Sequence, residues 1–188
     1  MILEGLITTR NADGQVHVSP MGPEVEEDGP LQTFVLKPFD TSCTYRNLKR
    51  QPSGVLHITD NVLLLARAAI HCFDVPPALA EVPSGDGLVL EDTCRWFAFE
   101  VVAFDDSTPR TRISCRVTEQ GDVRPFWGFN RAKHAVLEAA ILATRVGILE
   151  DSEIKTRMQD LKVMVEKTAG SQERQAFDLL EAYVRDQG

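Results

Sequence analysis

Ile7-Thr-Thr-Arg-Asn-Ala-Asp-Gly-Gln-Val-His-Val-Ser-Pro-Met-Gly22 is the stretch on which the fold turns. Ile2–Thr9, which leads into it, is rich in the β-branched and aliphatic residues that suit a pleated, half-buried surface. Asn11-Ala-Asp-Gly14 is turn chemistry, because Asn, Asp and Gly tolerate the positive φ of a tight hairpin. Beyond the turn Gln15–Ser19 alternates, with Val16 and Val18 on one side and His17 on the other. The reading is a β-hairpin, ended by Pro20-Met-Gly-Pro23. Glu24–Pro30 follows as an acidic, exposed loop.

Outward from the hairpin, Leu31–Leu36 reads as a third strand and Gly54–Thr59 as another. Between them lie a hydroxyl-rich loop, Lys37–Thr44, and one or two helical turns over Tyr45–Gln51. Asp60 or Asn61 caps a helix, Val62–Phe73, that stops before Pro76-Pro77. Ala78–Gly87 reads as a loop with Pro83-Ser-Gly-Asp-Gly87 at its end. Two longer strands, Cys94–Phe104 and Arg110–Glu119, flank the polar turn Asp105–Pro109. After Gly121 the period changes. Asn130–Val146 carries Ala132, Ala135, Val136, Ala139, Ala140 and Ala143 at helical spacing, a packing stripe. Ser152–Thr168 and Ser171–Arg185 are two more amphipathic helices. Strands first and helices last predict an α+β fold, divided into residues 1–122 and a helical extension over 123–188.

Composition narrows the function. Apolar residues make up 43% of the 188, enough for a core, and a net charge of -8 argues against nucleic-acid binding, which needs a basic face. Cys43, Cys72, Cys94 and Cys115 form no C-x-x-C pair, so neither a disulfide scaffold nor a metal site is expected. No signal peptide is visible, and the longest apolar run, around Val62–Ile70, is too short to span a bilayer. The expectation is a cytoplasmic protein without membrane contact. None of the four histidines pairs with another at metal-ligand spacing, and no nucleophile elbow, P-loop or dinucleotide fingerprint is present. No catalytic acid or base can be named.

Two segments carry chemistry. Thr41-Ser-Cys-Thr44, followed by Asn47-Leu48, places three hydroxyls before a helix start, where side-chain and backbone donors suit a phosphate. On composition alone such a segment is more often an ordinary capped loop with solvated basic residues. Arg124-Pro-Phe-Trp-Gly-Phe-Asn-Arg-Ala-Lys133 sets Arg131 and Lys133 at a helix N-terminus, where the macrodipole favours negative charge. A bound anion at Arg124, Trp127, Asn130, Arg131 and Lys133 resolves that conflict, and so does a nearby Asp or Glu. Phe126, Trp127 and Phe129 can flank a planar cofactor or plug a gap between subdomains.

Taken together, Ile7–Gly22, Thr41-Ser-Cys-Thr-Tyr-Arg-Asn-Leu48, and Arg124–Lys133 with Ala143-Thr-Arg145 resemble a known family. It is an uncharacterised branch of the flavin-reductase-like, FMN-binding split barrels, in which helices follow the barrel. The resemblance runs in order over roughly residues 1–146. It implies a homodimer with FMN near the subunit interface. It implies Thr41, Ser42, Thr44 and Asn47 at the FMN phosphate, and Ser19, Met21 and Gly22 near the isoalloxazine. The function it implies is an FMN-dependent oxidoreductase that takes hydride from a reduced nicotinamide or another donor and reduces a small acceptor. A non-enzymatic FMN carrier and a structural module with a degenerate pocket are the alternatives.

Overall fold

A computed structural model describes residues 1–27, 29–85 and 87–187. Asp28 of the acidic loop and Asp86 of the Pro83–Gly87 turn lie outside the described residues. The chain forms two compact units, one from Met1–Thr59 and Pro77–Pro125, the other from Asp60–Pro76 and the chain from Phe126 onward.

In the first unit the hairpin stands as read: β1 (Gly5–Arg10) pairs antiparallel with β2 (Val16–Met21), with Gly14 at φ 83 in the turn. The remaining elements are β3 (Glu24–Val25), β4 (Thr33–Leu36), α1 (Cys43–Arg50), β5 (Ser53–Ile58), β6 (Leu79–Glu81), β7 (Leu88–Leu90), β8 (Arg95–Asp105) and β9 (Arg112–Asp122). Seven of the strands form one antiparallel sheet in the order β2-β1-β5-β8-β9-β4-β3. That order dictates curvature. β2 ends at Met21 and β3 begins at Glu24, so three Cα steps of ~3.8 Å join the two ends of the strand order. A flat sheet would hold those ends roughly 28 Å apart, six spacings of ~4.7 Å. The sheet therefore curls into a half-closed barrel.

The N-terminal residues finish the closure. Leu3 N–H donates to Pro23 O at 3.1 Å, Val25 N–H to Met1 O at 2.8 Å, and Ile2 bridges Glu24. Gly22 is required at the crossing: a Cβ there would sit 2.9 Å from Ile2 Cγ2. The expected acidic loop thus begins as a short strand.

Alternation along the strands gives the sheet two apolar faces. One buries Ile7, Phe34, Leu36, Leu56, Phe97, Phe99 and Ile113 with Leu48 of α1, and Phe34 meets Phe99 edge-on with centroids 5.2 Å apart. The other buries Val55, Trp96 and Ala98 with Val82 and Val89. Val82 and Val89 belong to the β6–β7 hairpin, which forms a small sheet of its own where a loop was expected. His57, fully buried, ties this hairpin to the barrel. Its Nε2 accepts Leu90 N–H at 3.0 Å, so Nδ1 must carry the proton and donate to Leu6 O at 3.2 Å. Burial lowers its pKa from 6.5 to about 4.

The second unit is helical: α2 (Val62–Ala69), α3 (Arg131–Ala143), α4 (Asp151–Thr168) and α5 (Ser171–Gln187). Asn61 caps α2, its Oδ1 accepting Leu64 N–H at 2.9 Å. The helix expected to reach Phe73 ends at Ala69, because His71 turns left-handed with φ 53. The alanine stripe of α3 is fully buried, and its small side chains admit α2, α4 and α5 closely, with Met158, Phe177 and Leu180 filling the space. Among the described residues no helix is long and apolar enough to cross a membrane.

Candidate functional site

The hydroxyl loop leads directly into α1. Ser42 is its N-cap: the Oγ accepts Tyr45 N–H at 3.1 Å. Thr41 is exposed, and its carbonyl accepts the Arg46 guanidinium at 2.5 Å. Thr44 is buried. No acidic residue stands in the first turn of α1, so the positive end of the helix is uncompensated by a carboxylate of its own.

Asn47 is buried, and its amide is already engaged. Nδ2 donates to Thr9 Oγ1 at 3.0 Å and to Asn11 Oδ1 at 2.9 Å, and Asn11 Oδ1 also accepts Cys43 S–H at 3.2 Å. Arg50 donates to Asn47 Oδ1 and to Arg10 O. Thr9, Asn11 and Cys43 carried no site role in the sequence reading; together they clamp α1 onto the end of β1. At the other end Lys49 pairs with Asp106 at 2.5 Å and lies over the Phe104 ring, 4.3 Å from its centroid.

Strand register brings the two expected cofactor stretches to one face. Directly opposed residues share a face, and Ser19 opposes Ile7, Met21 opposes Gly5, and His17 opposes Thr9. Thr9 is the residue that Asn47 of α1 holds, so Ser19, Met21 and His17 lie on the α1 side of the sheet. Gly22 follows at the crossing. The backbone adds a second resource. Asn11 N–H bonds Gln15 O, which makes Thr9/His17 and Ile7/Ser19 the hydrogen-bonded pairs in an alternating ladder. Val16 and Val18 therefore turn their N–H and C=O groups to the open edge of β2. Pro20, next in that series, has no N–H to leave unpaired there.

A larger depression, about 690 Å³, lies elsewhere on this unit along Ser53, Ala98, Glu100, Thr118 and Glu119. Its carboxylates are committed, Glu100 to Arg116 and Glu119 to Ser84 N–H at 3.3 Å, and they disfavour a phosphate. No cluster of metal-ligating side chains occurs among the described residues.

The second expected segment falls on both units. Arg124, in the first, pairs with Asp92 at 2.9 Å and reaches Cys94 Sγ at 3.4 Å. In the helical unit, Asn130 caps α3 by accepting Ala132 and Lys133 N–H at 2.8 and 3.2 Å, and it donates to Thr168 O. The dipole conflict at Lys133 is met by a backbone carbonyl and two carboxylates: its Nζ donates to Asp60 O at 2.7 Å and lies 3.3 Å from Asp60 Oδ2 and 3.9 Å from Glu173. Asp60, buried, also accepts Trp127 N–H at 3.2 Å. Arg131 is exposed and makes no ion pair among the described residues. The aromatic residues do not form a buried plug: Phe126, Trp127 and Phe129 are 50%, 86% and 91% exposed.

The curled antiparallel sheet has the fold of the flavin-reductase-like split barrels, here with C-terminal helices. The flavin reductase of styrene monooxygenase from Pseudomonas putida superposes with a TM-score of 0.52 at 16% identity, over 64% of this chain and 81% of that one. Flavoredoxin from Methanosarcina acetivorans gives 0.52 at 9% identity, over 66% and 74%. An FMN-bound protein from Methanosarcina mazei gives 0.84 at 19% identity, over 97% of this chain and 94% of that one. The chain belongs to the DUF447 family, a protein family of unknown function, whose N-terminal domain matches residues 3–123 and whose C-terminal part matches residues 130–182. No curated protein sequence matches it.

Proposed function

We propose that this protein binds FMN on the α1 face of the barrel and works as a homodimeric FMN-dependent oxidoreductase of the flavin-reductase type. The observation that carries the reading is the likeness to an FMN-bound protein over both units, 97% of this chain. The residues present fit the cofactor. Thr41 is exposed at the start of a helix with no acid in its first turn, which suits a dianionic phosphate, and Ser42 and Thr44 stand beside it. Ser19, Met21 and Gly22, with the outward N–H and C=O groups of Val16 and Val18, offer a flat, partly apolar edge to the ring system.

FMN, when bound, supplies the hydride and electron chemistry, and the protein contributes binding, orientation and exclusion of water. Thr41 holds the phosphate end, and the β2 edge orients the ring edge through backbone hydrogen bonds. The clamp at Asn47 keeps α1 in register with β1, so the two ends of the site stay a fixed distance apart. A reduced nicotinamide, or another hydride donor, is the reductant in this reading, and a small molecule is the acceptor.

The test is direct. Purified protein is expected to be yellow or to take up one FMN per chain in a titration, and a protein that takes up none ends the proposal. Anaerobic addition of NADH or NADPH to the loaded protein is expected to bleach the flavin. FMN uptake without bleaching by either nicotinamide would assign the carrier role instead.

A further inference from the structure

The turn that leads into the hydroxyl loop carries an exposed aromatic ring on a pinned backbone. Phe39 is 54% exposed, although the chain on either side of it is tied down. Thr111 donates to Pro38 O through both its N–H and its Oγ1, each at 3.0 Å, and Asp40 N–H donates to Pro109 O at 2.9 Å. Phe39 itself bridges Arg110, whose guanidinium lies over the ring, 5.5 Å from its centroid. Ser42 N–H donates to Phe39 O at 2.9 Å, which closes a turn over residues 39–42. The ring thus stands at the first position of a turn whose third residue is Thr41, with the Cα atoms at its ends within ~7 Å. A guanidinium marks each side of this turn, because Arg46 donates to Thr41 O. Neither Arg46 nor Arg110 makes an ion pair among the described residues.

We infer that the flavin site extends past Thr41 and also takes the dinucleotide, FAD, with its adenine on Phe39 and Arg110. The inference rests on the phosphate position proposed above. Size is the first argument. One ring and one guanidinium fall far short of the ~800 Å² per partner of a protein contact, but they match a single base. Bases stack on aromatic rings and on arginine planes, and the exposed Arg110 side chain is placed to turn aside and cover the base from above. Charge is the second argument. FMN ends in one phosphate, whereas FAD carries another beyond it, on the side where the unpaired Arg110 stands. Asp40, exposed in the same turn, is a carboxylate of the kind that accepts ribose hydroxyls. A nicotinamide dinucleotide offers the same adenosine, but its phosphates cannot share Thr41 with that of a bound flavin.

Equilibrium dialysis of the purified protein against FMN and against FAD tests it. FAD is expected to bind about tenfold more tightly than FMN, the effect of one stacked base. Phe39→Ala should erase that advantage and leave FMN affinity unchanged, and Phe39→Tyr should keep it. Arg110→Gln, a milder probe, should weaken FAD about threefold. Both side chains are exposed, so far-UV spectra should not change. FAD bound no more tightly than FMN would overturn the inference, as would a Phe39→Ala variant that loses both flavins alike. So would a variant unchanged toward FAD whose FMN-loaded form binds NADH more weakly, since that assigns the adenine to the nicotinamide cofactor. A protein that binds neither flavin would end this inference together with the reading on which it rests, whereas normal FMN binding without the FAD advantage ends this inference alone.

Discussion

The imidazole of His57 takes the Leu90 N–H on Nε2 at 3.0 Å, which commits its single proton to Nδ1 and the carbonyl of Leu6. Protonation would set a second N–H against that of Leu90, inside a fully buried site. The β6–β7 hairpin is therefore fastened to the barrel by a histidine that must stay neutral.

Stability should accordingly fall in acid over a defined window. An unfolded histidine titrates near 6.5 and this one near 4 in the fold, so between those values the unfolded chain binds the extra proton. The contribution is complete above pH 6.5 and lost as pH falls toward 4, about 3 kcal/mol in all. Urea unfolding of wild type and His57→Gln at pH 7, 6, 5 and 4.5 checks this. The wild type should lose more stability than the variant; parallel curves would remove His57 from the account.

Asn47→Ala should destabilise without unfolding. It deletes one buried and one part-buried hydrogen bond and takes the Asn47 donor from the buried Thr9 hydroxyl, a loss of about 2 kcal/mol. A denaturant midpoint within error of wild type would mean that the α1 clamp carries no weight.

Thr41 and Ser42 should separate binding from folding. Ser42→Ala removes a cap and should cost about 1 kcal/mol of stability. Thr41→Ala removes an exposed hydroxyl, so melting should not change while FMN affinity drops about tenfold, equivalent to ~1.4 kcal/mol. Equal FMN binding by wild type and Thr41→Ala would move the phosphate away from this loop.

Lys133→Met should remove a cation from beside the buried Asp60 carboxylate. The cost is expected to be about 2–3 kcal/mol, below the full value for a buried pair because Lys133 is 22% exposed. Thermal unfolding measures it. A further Asp60→Asn change should recover part of the loss, and if it instead adds fully, the two residues are not coupled.

The parts of the fold legible in the sequence were those with local causes. Asn11–Gly14 announced its hairpin through turn chemistry, and the alanine stripe of α3 announced its packing face through period. The β6–β7 hairpin was not legible. Leu79–Glu81 and Leu88–Leu90 are too short to show alternation, and what seats them is His57, more than twenty residues away. Likewise the end of α2 depends on a left-handed His71, a turn that the helical period running on to Phe73 conceals. At the candidate site, the sequence shows the hydroxyls and the hairpin as candidate groups, but not which donors are already spent. Asn47 is committed to Thr9 and Asn11, and Lys133 to Asp60, through contacts 38 and 73 positions apart in sequence. Composition records a charge or an amide; only the fold records its partner.

Gly22 and Pro23 also set the order in which the barrel can assemble. β2 needs only its neighbour β1, but β3 joins the sheet through β4, whose Phe34 pairs with Cys115 across 81 positions of chain. The two-residue link lets neither end settle until that distant pairing exists. Loop-closure entropy is then met late and all at once, and the refolding of this unit should be slow and concerted, with strand closure as its final event.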